Sequence, residues 1–268
     1  MGNGQVLSTL MHRASVRKFT EMPVAEETLR EVVRAGQQAP FTGQMYSVIV
    51  VTSHPTRERL RPYLGPLVMQ APVFMLICID FLRLEAFLSS RGRSNRLDDM
   101  SMLFLGIQDA AYAGMNMVSA AQALGLGSVF LGAAPFVAPA LAEIFQLPPR
   151  VYPLVGLLLG YPAEHPPARP RIPLDLVFMR ESYQRPTSAQ IQAALEVMDQ
   201  GLLQEGYYAR LQAMIPLEKG QETHDYTNYS WGEHIARKYG QMRPRDVLAM
   251  LGQQGIDVNR VPPPGAGA

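Results

Sequence analysis

The longest apolar tract of this chain, Met100 to Leu124, either crosses a membrane or fills a protein core, and the choice sets everything else. It is about long enough to span a bilayer, which takes roughly 20 apolar residues. Gln108, Asp109, Asn116 and Gln122 recur through it, however, and such groups are costly inside lipid. The tract therefore reads as a long helix buried on most sides. The polar stretch 94–99 opens it, and Gly125 and Gly127 stop it, since glycine takes the left-handed conformation at helix ends.

Around this helix lie four short runs rich in β-branched and aromatic residues, which predict strands: Tyr46 to Thr52, Val73 to Ile79, Ser128 to Leu131 and Tyr152 to Leu159. Helical patterns separate them. One is amphipathic from Ala25 to Ala35, with Glu26 and Glu27 where a helix dipole favours negative charge and Gly36 just past its expected end. The segment 162–173, PAEHPPARPRIP, holds too many prolines for a helix or a central strand, so it reads as an extended connection closing the strand-bearing part. Beyond it, helical periodicity returns over Ser188 to Leu203, Gly232 to Tyr239 and Arg243 to Gly252, before an unordered tail, VPPPGAGA. The expected organisation is a domain over 1–185 and a helical C-terminal extension over 186–268.

Charge and cysteine usage narrow the function classes. The 24 Lys+Arg against 23 Asp+Glu leave a net charge of +1, so no global field draws the chain to nucleic acid or to an anionic membrane. Any basic site must be local. A single cysteine, Cys78, excludes an intramolecular disulfide and a cysteine-built metal cage. The opening MGNGQVLSTLM reads as neither signal peptide nor myristoylation site, and together these features predict a cytoplasmic protein.

Four small clusters carry chemistry. In HRASVRKF, Arg13, Ser15 and Arg17 alternate, so an extended backbone turns two guanidinia and a hydroxyl to one side, a receptor suited to phosphate. A solvated basic turn is the duller alternative. In APFTGQMYSVIVV, a polar turn of Thr42, Gly43 and Gln44 precedes the first strand, and Gln44 offers the donor and acceptor that a heterocyclic edge requires. In ALGLGSVFLGA the glycines lack the dinucleotide-binding spacing and follow a helix instead of opening one; Gly132 would let backbone approach a flat ring. Arg169 and Arg171 alternate in the proline-rich connection, a second basic edge able to close on the same phosphate.

In order and approximate spacing these pieces, with Gly160-Tyr-Pro ahead of the last, resemble the nitroreductase family, and the match runs over most of the first 185 residues. The ending MRPRDVLAMLGQQGI resembles its flavin reductase and oxygen-insensitive nitroreductase branch. The resemblance implies an α+β fold with a mixed central sheet flanked by helices, a homodimer built on the long helix, non-covalent FMN at the interface, and NAD(P)H as co-substrate. Carried over by position, Arg13, Ala14, Ser15 and Arg17 would face the FMN phosphate and ribityl, joined by Arg169 and Arg171. Pro40, Thr42 and Gln44 would reach the flavin from the partner subunit, with Leu131 and Gly132 near the ring. The chain departs from the family pattern at Ala14, at Phe41-Thr42 where two small hydroxyl residues are usual, and at Gln44 where Asn is usual. No Gly-Gln pair appears in LGPLVMQAP, which leaves one ring contact unassigned.

The implied chemistry belongs to the flavin, which takes hydride from NAD(P)H and reduces a nitroaromatic, quinone or flavin by a ping-pong scheme, so no nucleophile or general acid is named. Alternatives on the same fold are an FMN storage or sensing module without turnover, suggested by the bulk of Phe41, and a reduced-flavin dehalogenase or flavin-fragmenting enzyme. Other residues take duller roles: His224, Asp225 and His234 fit no metal-ligand spacing, Asp109 holds helix ends or pairs with an arginine, and Trp231 anchors the extension.

Overall fold

The computed structural model describes residues 3–259, and the tail 261–268 lies outside the described residues. The chain divides into two compact units, one comprising the described residues up to Pro166 and from Arg245 on, the other Pro167–Pro244. The chain passes between the two units at 166/167 and at 244/245. The first lies inside the proline-rich connection.

The first unit opens with α1 (Asn3–Met11) and α2 (Glu26–Gln37), then β1 (Tyr46–Val51), α3 (His54–Leu64) and β2 (Val73–Asp80). It continues through α4 (Phe81–Ser90), α5 (Asp99–Ala123), β3 (Gly127–Leu131), α6 (Ala138–Phe145) and β4 (Val151–Gly160). In the second unit stand α7 (Ser188–Gln204), α8 (Tyr207–Leu211) and α9 (Trp231–Gly240); α10 (Val247–Gln253) belongs to the first. No described helix is long and apolar enough to cross a membrane.

The four strands form one sheet in the order β1-β2-β4-β3, and every neighbouring pair is antiparallel. This corrects the expected mixed sheet. β2 and β3 run the same way, because α5 carries the chain back along the sheet between them, but β4 is interposed and no parallel pair forms. β2 is buried along its whole length, which explains its unbroken apolar run VFMLICI. Met75 and Ile77 face Ala110, Ala113 and Met117 of α5 on one side. Phe74, Leu76 and Cys78 face Leu60 of α3 and Leu141 of α6 on the other. The sheet is therefore sandwiched between helical layers.

α5 is capped by Asp98, whose carboxylate accepts from Ser101 N at 2.8 Å. It ends where Gly125 takes φ +78°, whereas Gly127 is already the first residue of β3. Only the faces toward the sheet and α2 are buried: Met100, Phe104, Ile107, Tyr112 and Met115 are exposed along the outer side. The expectation of burial on most sides is corrected accordingly. α2 runs through Gly36 instead of stopping before it, because a Cβ there would lie 2.7 Å from Met117 Cγ and 3.2 Å from Ala113 O. Close approach of two helices, not a helix end, accounts for that glycine.

The second unit has its own small core, in which Met198, Leu202, Tyr208 and Tyr229 pack with Trp231. Tyr208 and Tyr229 meet edge to face at 5.1 Å, and the His234 ring stacks on Tyr208 at 4.7 Å. Arg237, buried at 3% exposure, is held by Glu222 at 2.7 Å and Glu233 at 2.6 Å. Burying a guanidinium is tolerable only with such pairing.

Candidate functional site

After α1 the chain runs to residue 20 without a helix, and its backbone bonds fix where it lies. Val16 N donates to Ser128 O at 3.0 Å, and Phe19 bridges Pro162, so residues 16–20 lie beside the start of β3 and the end of β4. Glu164 fixes the segment by accepting from Arg17 N at 2.6 Å and Lys18 N at 3.1 Å. The even-numbered His12, Ala14 and Val16 line a cavity of about 240 Å³ with Gln122, Ser128 and Glu164. Ala14, which the resemblance puts at the FMN phosphate and ribityl, is among the residues lining this cavity. Arg17 Nη1 donates to Ser15 O at 3.1 Å, which folds the guanidinium back over the hydroxyl-bearing residue. Arg13, Ser15 and Arg17 are all partly buried, and guanidinia with a hydroxyl are groups suited to an anion.

The second element is the loop between α2 and β1, where Pro40, Phe41, Thr42 and Gln44 are exposed. Gln44 adopts φ +50°, a left-handed conformation that costs a non-glycine residue about 1–2 kcal/mol. Two side chains compensate. Asp109, at 1% exposure on the inner face of α5, accepts from Thr42 N at 2.6 Å, Gly43 N at 3.0 Å and Met45 N at 3.0 Å. Arg83, in the first turn of α4, donates to Gln44 O at 2.8 Å, to Tyr46 O, and to Ser47 Oγ at 3.2 Å. Asp80 holds Arg83 in turn, through an ion pair at 3.6 Å and by capping α4. Hydrogen bonds to a charged group are worth about 1.5–3 kcal/mol each, enough to outweigh the strain. Asp109 thus binds loop amides, neither a helix end nor an arginine as the sequence suggested. Arg83 was missed altogether.

Leu131 closes β3 and Gly132 opens the turn after it, where the space for a side chain is open, so backbone is accessible there. Arg169 and Arg171 belong to the second unit. Arg169 donates to Tyr207 Oη and lies 4.0 Å over that ring, while Arg171, exposed, donates to Arg169 O at 3.1 Å and Pro170 O at 2.9 Å.

Sheet order separates the pieces of the first unit. The Thr42–Gln44 loop leads into β1 at one edge, whereas Arg13 to Arg17 and Gly132 adjoin β3 at the other. Three strand spacings of about 4.8 Å put these edges about 14 Å apart. One copy does not bring the anion receptor and the carboxamide loop together through its sheet.

A model of the nitroreductase family matches residues 10–73 and 56–161. The chain is 31% identical over 264 residues to an FMN reductase (NAD(P)H) of Bacillus subtilis, covering 96% of this chain and 99% of that protein. The chain belongs to the nitroreductase family. It is also 32% identical over 248 residues to an oxygen-insensitive NADPH nitroreductase of Salmonella typhimurium, covering 91% of this chain and 94% of that protein. Among solved structures, the hypothetical oxidoreductase YcnD of Bacillus subtilis superposes with a TM-score of 0.80 at 29% identity, covering 95% of this chain and 99% of that one. The likeness extends through the second unit and α10, well beyond the part that the motifs cover.

Proposed function

We propose that this nitroreductase-family protein works as a homodimer in which each FMN is held by residues of two copies. The chain is an FMN-dependent NAD(P)H oxidoreductase, in line with its FMN reductase and nitroreductase relatives. The observation that carries the two-copy reading is the placement of the anion receptor and the carboxamide loop on opposite sheet edges.

The residues present fit the cofactor. Arg13, Ser15 and Arg17 supply the donors that a phosphate needs, with Ala14 between them. Open backbone at Gly132, beside Leu131, admits a flat ring. From the other copy, Pro40 and Thr42 border the ring and Gln44 offers it a carboxamide. Apolar side chains along the outer face of α5, with Phe104 at 62% exposure, supply the surface that a second copy would cover. Bound FMN would supply hydride acceptance from NAD(P)H and electron delivery to an organic acceptor. The chain's own part is to hold phosphate, orient the ring and leave one face open, so that donor and acceptor use the same place in turn, a ping-pong scheme. Cys78 lies buried in β2, where burial pushes its thiol up to about 12, so it is inert; one such cysteine suits the reducing cytoplasm.

The test is a visible spectrum of purified protein before and after anaerobic NADPH, then NADH, combined with sedimentation for mass. A flavin spectrum bleached by either nucleotide in a dimeric species supports the proposal. A monomer with full FMN occupancy refutes the two-copy site. Bound FMN that neither nucleotide bleaches favours the storage reading, for which exposed Phe41 is the motive.

A further inference from the structure

We infer that Asp109 and Arg83 are positioning residues for the flavin, acting through the conformation they impose on Gln44. The inference rests on the proposal that the Thr42–Gln44 loop contacts the ring.

The pattern of hydrogen bonds carries the argument. Asp109 accepts the amides of Thr42, Gly43 and Met45 and passes over that of Gln44, while Arg83 takes the carbonyls of Gln44 and Tyr46. The peptide that follows Gln44 is therefore gripped from two helices, its N–H by Asp109 of α5 and its carbonyl by Arg83 of α4, while the Thr42 and Gly43 amides anchor the chain before it. Gln44 itself takes φ +50°, which a glutamine rarely adopts unaided. Fixing that backbone fixes the direction of the Cα–Cβ bond, and so the region that the exposed carboxamide can reach. A loop without this grip would sample many directions, and preorganised donors act only where they are already aimed.

The chemistry at position 109 is specific. Three N–H donors converge on two carboxylate oxygens. Asparagine has the same shape but one acceptor oxygen, and its amino group would face N–H groups it cannot bond. Asp109→Asn therefore releases the loop while leaving the packing of α5 nearly intact, which separates positioning from bulk stability. Asp109 also lies two residues from exposed Ile107 on the same helix, so one rigid element carries both the loop anchor and the outer apolar face.

The test is a double-mutant cycle read by FMN release from the holoprotein, followed as the gain in flavin fluorescence on dilution. Asp109→Asn and Gln44→Ala are each expected to speed release about tenfold, and the double variant no more than either alone, because both remove the same aimed carboxamide. Val118→Ala, a buried truncation on the same helix, gives the change due to loosening α5 alone and is expected to leave release unchanged. If Gln44→Ala speeds release while Asp109→Asn does not, or if the two effects multiply, the inference is overturned and the loop contact stands. Should neither Gln44→Ala nor Thr42→Ala speed release, the loop contact fails and the inference with it. If Asp109→Asn does not fold, Arg83→Met takes its place in the cycle, with the same outcomes deciding.

Discussion

Mixing two defective variants tests whether the flavin site is shared between copies. In the first variant, Arg13→Ala with Arg17→Ala, two guanidinia leave the phosphate receptor. Each charged hydrogen bond is worth about 1.5–3 kcal/mol, so the pair costs about 3–6 kcal/mol, or roughly a hundred- to ten-thousandfold in FMN affinity. In the second, Thr42→Ala with Gln44→Ala, two neutral contacts at about 1 kcal/mol each cost roughly thirtyfold. The two sets stand beside opposite edge strands, β3 and β1. If a site draws on both copies, a mixed dimer holds one site with both lesions and one with neither. Random exchange makes about half of all dimers mixed, so about one quarter of the sites regain full affinity.

The assay is FMN titration by fluorescence quenching, at a concentration that saturates the unaltered protein and neither parent variant. Subunit exchange is monitored through a mass tag on one partner. A tight-binding fraction near one quarter after exchange is the expected result. If exchange is complete and no tight sites appear, each site lies within one chain, and the reasoning from sheet order is wrong.

Three further outcomes are expected. Phe104→Asp, on the exposed face of α5, should weaken the proposed dimer by about 2–4 kcal/mol, giving monomer by sedimentation velocity at micromolar protein; an unchanged dimer would remove α5 from the proposed interface. Gly106→Ala should destabilise despite better helix propensity, since its Cβ would lie 2.6 Å from Ile79 Cγ2 and 2.9 Å from Phe81 Cε1. Overpacking of about 1–3 kcal/mol against a propensity gain of about 1 kcal/mol predicts a net loss of up to about 2 kcal/mol in urea unfolding, and a gain would show that the helix–sheet contact yields. The hydrogen bond from Arg237 and further amide bonds lower Glu222 from its usual 4.5 to about 2, so its contribution is complete above pH 4.5 and fades as pH falls toward 2. Glu222→Gln should lower Tm above that window and match the parent below it, whereas a constant difference at all pH values would deny the linkage.

The sequence made the strands legible because each is a short β-branched or aromatic run bounded by turn residues, and all four lie within a residue of their expected ends. The connection 162–173 was legible through its prolines. Gly36 misled, because a glycine required by close helix packing looks the same in sequence as one that ends a helix. Arg83 was invisible for another reason: nothing in FLRLEAF marks an arginine whose partners are carbonyls of Gln44 and Tyr46, a strand away. Contacts of that kind depend on which strands are neighbours, and sheet order is not written in local periodicity.

Asp109 shows where the two kinds of information meet. A lone carboxylate in an apolar helix announces a buried charge, and a buried charge demands partners, so a structural duty was legible from composition alone. Which partners it takes depends on α2 ending where its loop passes under α5, a consequence of the packing of Gly36 on Met117 and Ala113. The misread glycine and the misassigned carboxylate are thus two ends of one arrangement. Close approach of α2 to α5 delivers the loop to Asp109, Asp109 sets the backbone around Gln44, and the outer face of the same helix offers the surface for a second copy. The longest apolar tract in the sequence is accordingly more than core: its polar interruption at position 109 aims the loop proposed to meet the flavin.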